Sequence, residues 1–386
     1  MYSIADYCRM VADPIRMTAY RNALEQAISP GDVVLDLGSG TGIFALMACQ
    51  CGAGSVIAIE PDASIHVARK IAADNGLADR IRFIPRHSRH VSLSERVDVM
   101  VSDMRGILPL FGTHLPDVAD ARERFLAPDG RQIPERDRLW AALVEAPDIY
   151  RQYISPCDNR PQDIDMSAAQ PYVVNTWRRV RLDENALLMP PLLLADIDYQ
   201  TVTTADVSGT VSGTIPTKGT AHGVLVWFEA VLFQDVRMTN APGAPDTLYG
   251  QKFFPLEHPV SVAEKDLVFI DVSARLIGED YIWRWRTRIR SDNPAKEEKA
   301  DFRQSTFFAR PHPSEALRYR ASSHKPTLGI EGRIDRTVLE LMDGATSLET
   351  IAGQLAETYP EHFQNRRQAL DRAARISAKY SSRNRP

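Results

Sequence analysis

Cysteines and long apolar runs are scarce in this chain of 386 residues, and each scarcity excludes a class of protein. The four cysteines, Cys8, Cys49, Cys51 and Cys157, are too few and too scattered for a disulfide framework, so we predict that all four are reduced. No run reaches the roughly 18 apolar residues that a membrane-spanning helix needs. The first residues carry acids where a secretory signal requires a basic and an apolar stretch. We therefore expect a cytoplasmic protein.

A large excess of charge of either sign is also missing. The chain has 46 Lys and Arg against 50 Asp and Glu, for a formal net charge of −4. Nucleic acid and membrane are therefore not expected partners. The hydrophobic share of 44% is that of an ordinary globular protein, and the length allows two or three domains.

The first third of the chain alternates between strand and helix patterns. Asp13 before Pro14 predicts a helix that begins there and continues to about Ile28. From residue 33 onward, the apolar runs "VVLDL", "SVIAIE", "RIRFIP" and "VDVMVSD" are typical of buried parallel strands, and helical patterns follow the first two. This alternation predicts an α/β fold with a parallel, Rossmann-like sheet.

A glycine-rich loop follows the first strand, with Gly38, Gly40 and Gly42 at every second position. This spacing is not the G-x-G-x-x-G pattern that holds a pyrophosphate. Asp36 beside the loop would repel a phosphate but suits an ammonium group, and Glu60 at the end of the second strand suits the two hydroxyls of a ribose. A tight turn and a helix-capping acid are the simpler explanations of each feature alone. Their combination in one βαβ frame favours a cofactor with a ribose and a cation, and S-adenosylmethionine fits.

About the first 140 residues resemble the protein arginine methyltransferase family. The resemblance lies in "MVADPIRMTAYRNAL", "VVLDLGSGTGIF", "VIAIE", "VDVMVSDMRG" and "RFLAPDGRQIP". It implies a class I methyltransferase domain in which Arg16 holds the methionine carboxylate of the cofactor and Glu60 holds the ribose. It also implies that Ser88 and Arg89 lie by the adenine, and that Asp36 and the glycines line the methionine end.

Residues from about 136 to 312 are rich in short β patterns, which predicts a β-barrel or sandwich. In "YIWRWRTRIRS" apolar residues alternate with arginines, as in a half-buried strand with an arginine face in solvent. "HGVLVWFEAVLF" and "FFPLEHPVSV" resemble, more weakly, the barrel of the same family. That resemblance implies an arm at about 156–176 that docks onto a second subunit, and hence a head-to-tail homodimer.

Two elements depart from the pattern that the family uses to grip a substrate guanidinium. The family has two glutamates in one loop, and in "SDMRGILPLFGTHL" Asp103 takes the first place whereas Gly112 takes the second. The family also has a Thr-His-Trp element in the barrel. In "DTLYGQKFF" Thr247 remains, but Leu248 and Tyr249 replace the His and the Trp.

Arg105 in the same loop adds a positive charge to this predicted substrate site, which also includes Thr247 and Tyr249. Because a guanidinium is a charged planar fork held by paired carboxylates, the loss of one acid predicts an acceptor other than arginine. A peptide or protein side chain is expected, a small molecule is the first alternative, and an inactive cofactor-binding protein is the second. Asp103 is the candidate group to orient the acceptor or take its proton, and His114 is either a base or a loop histidine without a role.

His87 and His90 have no third ligand nearby in sequence, so we assign no metal. The predicted domains are a cofactor-binding domain over 1–135, a barrel over 136–320 and a helical domain over 331–386.

The last domain follows a linker, "HKPTLGIEG", and three helical patterns predict a small winged-helix-like unit. Gly344 ends the first helix, and Thr346 with Glu349 predicts a capping box for the second. "VLELMDGATSLETIAGQLAETYP" weakly resembles peptide-chaperone domains that present precursor peptides to modifying enzymes. Residues 366–385 carry seven basic residues against one acid. They form either a solvated basic face or a surface that contacts a peptide or nucleic acid.

Overall fold

The computed structural model describes residues 2–157, 161–293, 298–311 and 313–381. Part of the predicted arm, residues 158–160, and the end of the basic tail, residues 382–386, lie outside the described residues, as does the side chain of Cys157. The chain divides into two compact units, residues 1–311 and 312–386.

A five-stranded parallel sheet forms the first part of the larger unit, with strand order β3-β2-β1-β4-β5. This confirms the predicted α/β fold. Its elements are α1 Ile4–Val11, α2 Pro14–Ala27, β1 Val33–Leu37, α3 Ile43–Gln50, β2 Ser55–Ile59, α4 Ser64–Asp74, β3 Ile81–Ile84, β4 Val97–Ser102, α5 His114–Phe125 and β5 Leu126–Ile133.

The carboxyl edge of this sheet brings the candidate site residues together. Strand β1 ends just before Gly38, β2 just before Glu60 and β4 just before Asp103. Helix α2 begins beside them at Pro14, because the Asp13 side chain accepts hydrogen bonds from the backbone N–H groups of Ile15 and Arg16. The predicted start of this helix is confirmed.

Two antiparallel sheets follow and form a barrel-like second part. One has the order β7-β12-β10-β6-β8 with β11 beside β10, and the other has the order β15-β14-β13-β9. Their elements, with two helices between β6 and β7, are β6 Arg136–Val144, α6 Pro147–Tyr153, α7 Gln170–Val174, β7 Arg178–Val180, β8 Leu192–Asp198, β9 Val207–Thr214, β10 Gly219–Phe233, β11 Val236–Thr239, β12 Gln251–Val262, β13 Leu267–Ile277, β14 Asp280–Arg290 and β15 Glu298–Ser305.

Aromatic side chains join the two antiparallel sheets. The ring of Phe254 on β12 lies 5.3 Å from that of Trp283 and 5.0 Å from that of Trp285, both on β14. The predicted alternation of β14 is confirmed, since its apolar side chains are buried while Arg286 pairs with Asp301 on the opposite face.

The segment predicted as an arm, 156–176, runs between β6 and β7. Its end is fixed to the second sheet, because Gln304 donates a hydrogen bond to the carbonyl of Val174 (2.6 Å) and Asn175 accepts one from the backbone of Ser305 (2.7 Å). Farther out, Ile164 and Met166 are exposed.

The smaller unit contains only helices among its described residues, so the winged element expected from sequence has no strand there. The helices are α8 Ser314–Arg320, α9 Ile330–Leu341, α10 Leu348–Thr358 and α11 Arg366–Tyr380. The predicted capping box of Thr346 and Glu349 is wrong. Thr346 is hydrogen-bonded to Asp343, and Ser347 caps α10 by accepting from the backbone of Thr350.

Within the described residues, none of the helices has the length and apolar character required to cross a membrane. Cys8, Cys49 and Cys51 are free thiols, as predicted.

Candidate active site

The glycine loop after β1 adopts a conformation that needs glycine. Gly38, Gly40 and Gly42 all have φ in the left-handed region, at 74°, 53° and 81°. The chain's own side chains also cover the loop, since a Cβ on Gly40 would overlap the ring of Tyr7 from α1, and one on Gly38 would overlap Met104. Close packing within the chain therefore explains part of the glycine pattern.

Glu60 connects this loop to the end of β2. Its Oε2 accepts a hydrogen bond from the backbone N–H of Gly40 and its Oε1 accepts one from that of Asp62, both at 2.9 Å. Burial raises the pKa of Glu60, and these two hydrogen bonds oppose that shift. Each carboxylate oxygen retains a second lone pair, so Glu60 has the capacity to accept two hydroxyl donors from a ribose.

Asp36 lies at the end of β1 with one oxygen unmatched. Its Oδ2 accepts a hydrogen bond from the backbone of Ala45 (2.9 Å), while Oδ1 is buried and has no partner among the described residues. Burial raises the pKa of Asp36 to about 7. An unpartnered buried acceptor costs free energy, so a bound ammonium would satisfy a group that the fold leaves open. The residues present therefore fit S-adenosylmethionine at this end.

Arg16, in the first turn of α2, faces the same edge. Its Nε donates a 2.6 Å hydrogen bond to Asp103, its Nη1 donates to the carbonyl of Met10, and its Cζ lies 4.8 Å from the centre of the Phe44 ring. Nη2 donates to no residue that the structure describes. This free edge is consistent with the predicted contact to a carboxylate.

Asp103 follows β4 and forms ion pairs with two guanidinium groups, although its Oδ1 accepts no hydrogen bond from a described residue. Oδ2 accepts from Arg16 and, at 2.7 Å, from the hydroxyl of Tyr249, while Oδ1 lies 3.0 Å from Nε of Arg105. Burial alone would raise the pKa of Asp103, but the two guanidinium groups outweigh it and hold the pKa below its usual value. The side chain is therefore an ionised carboxylate.

Arg105 is completely buried, and a second acid holds it. Its Nη1 donates a 2.9 Å hydrogen bond to Asp137 on β6, and its Cζ lies 4.9 Å from the centre of the Phe228 ring. The sequence analysis missed Asp137. A signal was present, because Arg136 and Arg138 alternate with Asp137 and Leu139, which places an acid on the apolar face of a strand.

His114 begins α5 and is buried. Its Nε2 lies 2.8 Å from the hydroxyl of Tyr199, which donates a 2.7 Å hydrogen bond to Asp137. Burial lowers the pKa of His114 to about 3, so the imidazole is neutral. Tyr199, like Asp137, was not predicted.

The barrel-like part contributes residues 247–249 to the same place. The backbone N–H of Leu248 donates to the Asp13 side chain (2.8 Å), and Tyr249 reaches Asp103. Thr247 is buried beside them. The structure thus brings together Arg16, Asp103, Arg105 and Tyr249 from positions far apart in the sequence.

Ser88 and Arg89 are held apart from this cluster. Ser88 is buried and its carbonyl accepts from Arg124, while Arg89 pairs with Asp117 at 2.8 Å. The predicted adenine contacts of both residues stay predictions. Among the residues that the structure describes, no group of three or more metal-ligating side chains occurs.

The fold defines the class first: a Rossmann-like class I methyltransferase sheet joined to a barrel-like pair of antiparallel sheets. The family model described as the arginine methyltransferase oligomerization subdomain matches residues 135–280. The model described as ribosomal protein L11 methyltransferase (PrmA) matches residues 21–130. Together these two matches support a class I methyltransferase that resembles the protein arginine methyltransferase family.

Individual relatives agree with this assignment. Protein arginine N-methyltransferase 2 of Dictyostelium discoideum is 31% identical over 239 residues, which are 59% of this chain and 46% of that relative. Arginine N(omega)-methyltransferase of Streptomyces achromogenes subsp. streptozoticus is 29% identical over 263 residues, 66% of this chain and 71% of the relative. The chain therefore spans less than half of the first relative and about seven tenths of the second.

A solved structure supports the fold. The Trypanosoma brucei PRMT1 enzyme-prozyme heterotetrameric complex with AdoHcy has a TM-score of 0.72 at 21% identity. The match covers 78% of this chain and 98% of that chain.

Proposed function

We propose that this chain is an S-adenosylmethionine-dependent methyltransferase that acts on a peptide or protein side chain other than arginine. Its relatives support the methyltransferase class and the cofactor. One observation carries the choice of acceptor: the guanidinium of Arg105 already lies between the carboxylates of Asp103 and Asp137.

The cofactor end has a group for each part of the ligand. In this proposal Asp36 holds the ammonium, Glu60 the ribose and Arg16 the methionine carboxylate, while Ser88 and Arg89 lie by the adenine. S-adenosylmethionine supplies a methyl group already activated on a sulfonium. The chain therefore needs mainly to align the acceptor and exclude water.

Arg105 opposes a cationic acceptor. Two unit charges about 4 Å apart at an effective dielectric constant near 20 interact by roughly 4 kcal/mol, which is an upper limit for the repulsion because Asp103 and Asp137 offset the charge of Arg105. A second guanidinium is disfavoured chiefly because both carboxylates are already paired with Arg105. A neutral amine, an amide, a hydroxyl or a carboxylate avoids this repulsion. The acid that the family places at position 112 is a glycine here and does not compensate.

Asp103 and His114 stay predictions as catalytic groups. The pKa of Asp103 is held low by two guanidinium groups, which favours orientation of the acceptor over removal of its proton. Among the described residues, His114 is hydrogen-bonded to Tyr199 and through it to Asp137. This placement favours a positioning role for His114 over the role of a base.

A small-molecule acceptor is the second candidate. The Streptomyces relative is named an arginine methyltransferase without mention of a protein. The two candidates predict different results with labelled S-adenosylmethionine and a lysate of the native organism. A labelled protein band would support the first, and label confined to the small-molecule fraction would support the second. No turnover of the cofactor would leave only the inactive cofactor-binding alternative.

We also propose that the chain forms a head-to-tail homodimer. A groove of about 360 Å³ lies between α2, α3 and α4, with Met17, Ile43 and Leu46 in its wall. The arm exposes apolar side chains of its own, among them Ile164 and Met166. The match to an oligomerization subdomain supports assembly of some kind.

Light scattering tests this assembly. Wild-type protein should have the mass of a dimer, and the deletion of residues 156–176 or the double change I164D/M166D should give monomers. Ile277→Asp is the control, because that exposed residue lies on β13 outside the arm. A dimer that survives both arm variants would contradict the proposal.

The helical unit is proposed to recruit the acceptor. Arg366 and Arg372 are paired with acids of the same unit, so only part of its basic face is free to bind a partner. A chain that lacks residues 331–386 should keep its dimer and its cofactor affinity but lose activity on the native acceptor. Full activity of that truncation would remove the recruiting role. The domain bounds 1–135, 136–320 and 331–386 and the cytoplasmic location stay predictions.

A further inference from the structure

Arg105 is enclosed on three sides by groups that suit a guanidinium. Its Nε lies 3.0 Å from Oδ1 of Asp103 in an ion pair without hydrogen-bond geometry, its Nη1 donates to Asp137 at 2.9 Å, and its Cζ lies over the Phe228 ring, 4.9 Å from the ring centre. The side-chain exposure is 0% for Arg105, 3% for Asp103 and 0% for Asp137. Two carboxylates and an aromatic face are the groups that a planar cationic fork prefers.

The two acids are held in place by groups other than Arg105. Asp103 accepts from Arg16 and from Tyr249, which belong to α2 and to the barrel-like part. Asp137 accepts from the hydroxyl of Tyr199, whose other neighbour is His114. If the Arg105 side chain is removed, these supports remain, and the carboxylates keep their positions around an empty space.

Other arginines of the described chain lack this arrangement. Arg286 makes two hydrogen bonds to Asp301, but both side chains are about one-third exposed and no second acid closes the pair. That pair therefore serves as a comparison.

We propose that Asp103, Asp137 and Phe228 form a guanidinium-binding site whose occupant is Arg105 of the same chain, and that Arg105 is the residue that excludes external guanidinium groups. The inference deepens the proposed function, since it names the side chain that determines which acceptors are refused. It predicts that removal of this side chain opens the site to small guanidinium ligands. Nε and Nη2 of Arg105 form no hydrogen bond with a described residue, so an unattached guanidinium ion is free to turn these donors toward the two carboxylates.

The test measures binding without turnover. In the full-length Arg105→Ala variant, methylguanidinium at millimolar concentration should raise the melting temperature in a saturable way. It should restore most of the decrease in melting temperature that the substitution causes. Methylammonium, which has the charge but not the fork, should have a much smaller effect. Wild-type protein and Arg286→Ala should show no saturable shift.

A second set of variants keeps the test decisive if Arg105→Ala folds poorly. Arg105→Met retains the volume of the side chain without its charge, and refolding yields with methylguanidinium and with methylammonium can be compared for both variants. In Arg105→Ala/Asp137→Asn the rescue should be lost. Equal responses to the two ions, or an equal response in Arg286→Ala, would overturn the proposal.

The outcome is separable from that of the proposed function. Methylarginine made by the wild-type enzyme would contradict the proposed acceptor class, whatever the variants bind. Absence of methylguanidinium rescue would remove the guanidinium site and leave the class of reaction untouched.

Discussion

Charged side chains at the two ends of the carboxyl edge of the parallel sheet differ in how far they are paired within the chain. At the glycine loop, Asp36 keeps a buried oxygen that no described residue satisfies, and Glu60 keeps lone pairs for further donors. At the other end, Asp103 and Asp137 form ion pairs with Arg105, and Asp103 pairs with Arg16 as well, so these charges offset one another although some buried donors of Arg105 lack hydrogen bonds. A carboxylate without a partner in the chain is available to a cationic or hydroxyl group of a ligand. Carboxylates that are already paired with Arg105 are not available to a second cation.

The largest expected effect concerns arginine as acceptor. Wild-type protein should make no detectable methylarginine on arginine-rich peptides, including glycine-arginine repeats. Both carboxylates at this position are already paired with Arg105, so a substrate guanidinium finds no free anionic partner there. Mass spectrometry of the peptides is the measurement, and binding of S-adenosylhomocysteine by the same preparation is the control. Efficient arginine methylation would break the comparison.

Restoring an acid with Gly112→Glu should not rescue that activity. Gly112 has φ 49°, in the left-handed region, where a glutamate is strained. Arg105 would also remain in place. Methylarginine made by Gly112→Glu, with none made by the wild type, would show that the missing acid alone sets the acceptor.

A stability measurement probes the buried cluster of Asp103, Arg105 and Asp137. Asp137→Asn leaves Arg105 buried without its full partner, so the free energy of unfolding should fall by about 3–5 kcal/mol. Asp301→Asn is the matched control, because its pair with Arg286 is solvent-accessible and should contribute far less to the free energy of unfolding. Similar decreases in the free energy of unfolding in the two variants would mean that the buried Arg105–Asp137 pair contributes no more to stability than a surface pair.

A substitution at Glu60, beside the glycine loop, should change the affinity for the cofactor. If Glu60 holds the ribose as proposed, Glu60→Ala removes two charge-assisted hydrogen bonds and should weaken binding of S-adenosylmethionine and its demethylated product by about a hundredfold, or roughly 3 kcal/mol. Calorimetry with Glu25→Ala, an exposed acid of α2, provides the comparison. Unchanged affinity in Glu60→Ala would remove the ribose assignment.

The smallest expected effect is a pH dependence at Asp36. Because its pKa in the folded chain is raised to about 7, the carboxyl is protonated below that value, and binding of an ammonium then requires loss of the proton. Affinity for S-adenosylhomocysteine should fall by up to about tenfold per pH unit as pH decreases from 7 to 6. In Asp36→Asn the slope should flatten.

The raised pKa of Asp36 also makes the stability of the ligand-free protein depend on pH. The folded state retains the proton of Asp36 more tightly than the unfolded chain does, so the ligand-free protein loses stability through this group as pH rises from about 4 to 7. Asp36→Asn should therefore be no less stable than the wild type at pH 7. Thermal unfolding across this range checks it.

Local sequence patterns could predict the glycine-loop end of the site. At the other end they could predict Asp103 and Arg105 but not the partners of these residues. Asp13 with Pro14 and the glycine loop are signals within a few neighbouring residues, so α2 and the loop follow from sequence. Asp137 had a weak local signal, an acid on the apolar face of a strand, but its pairing with Arg105 and the position of Tyr199 depend on contacts between distant segments that no local spacing reveals. The cap of α10 was misassigned because Asp343 competes for Thr346 and leaves Ser347 to begin the helix.

One carboxylate joins the two parts of the larger unit. Asp13 accepts from Arg16 at the start of α2 with Oδ1 and from the N–H of Leu248, just before β12, with Oδ2. These two amide protons share a single acceptor group. Loosening either partner weakens the hold on the other, so exchange with deuterium at both amides should report one common opening event. The parallel sheet and the antiparallel sheets are therefore expected to come apart at this point together, as one cooperative unit.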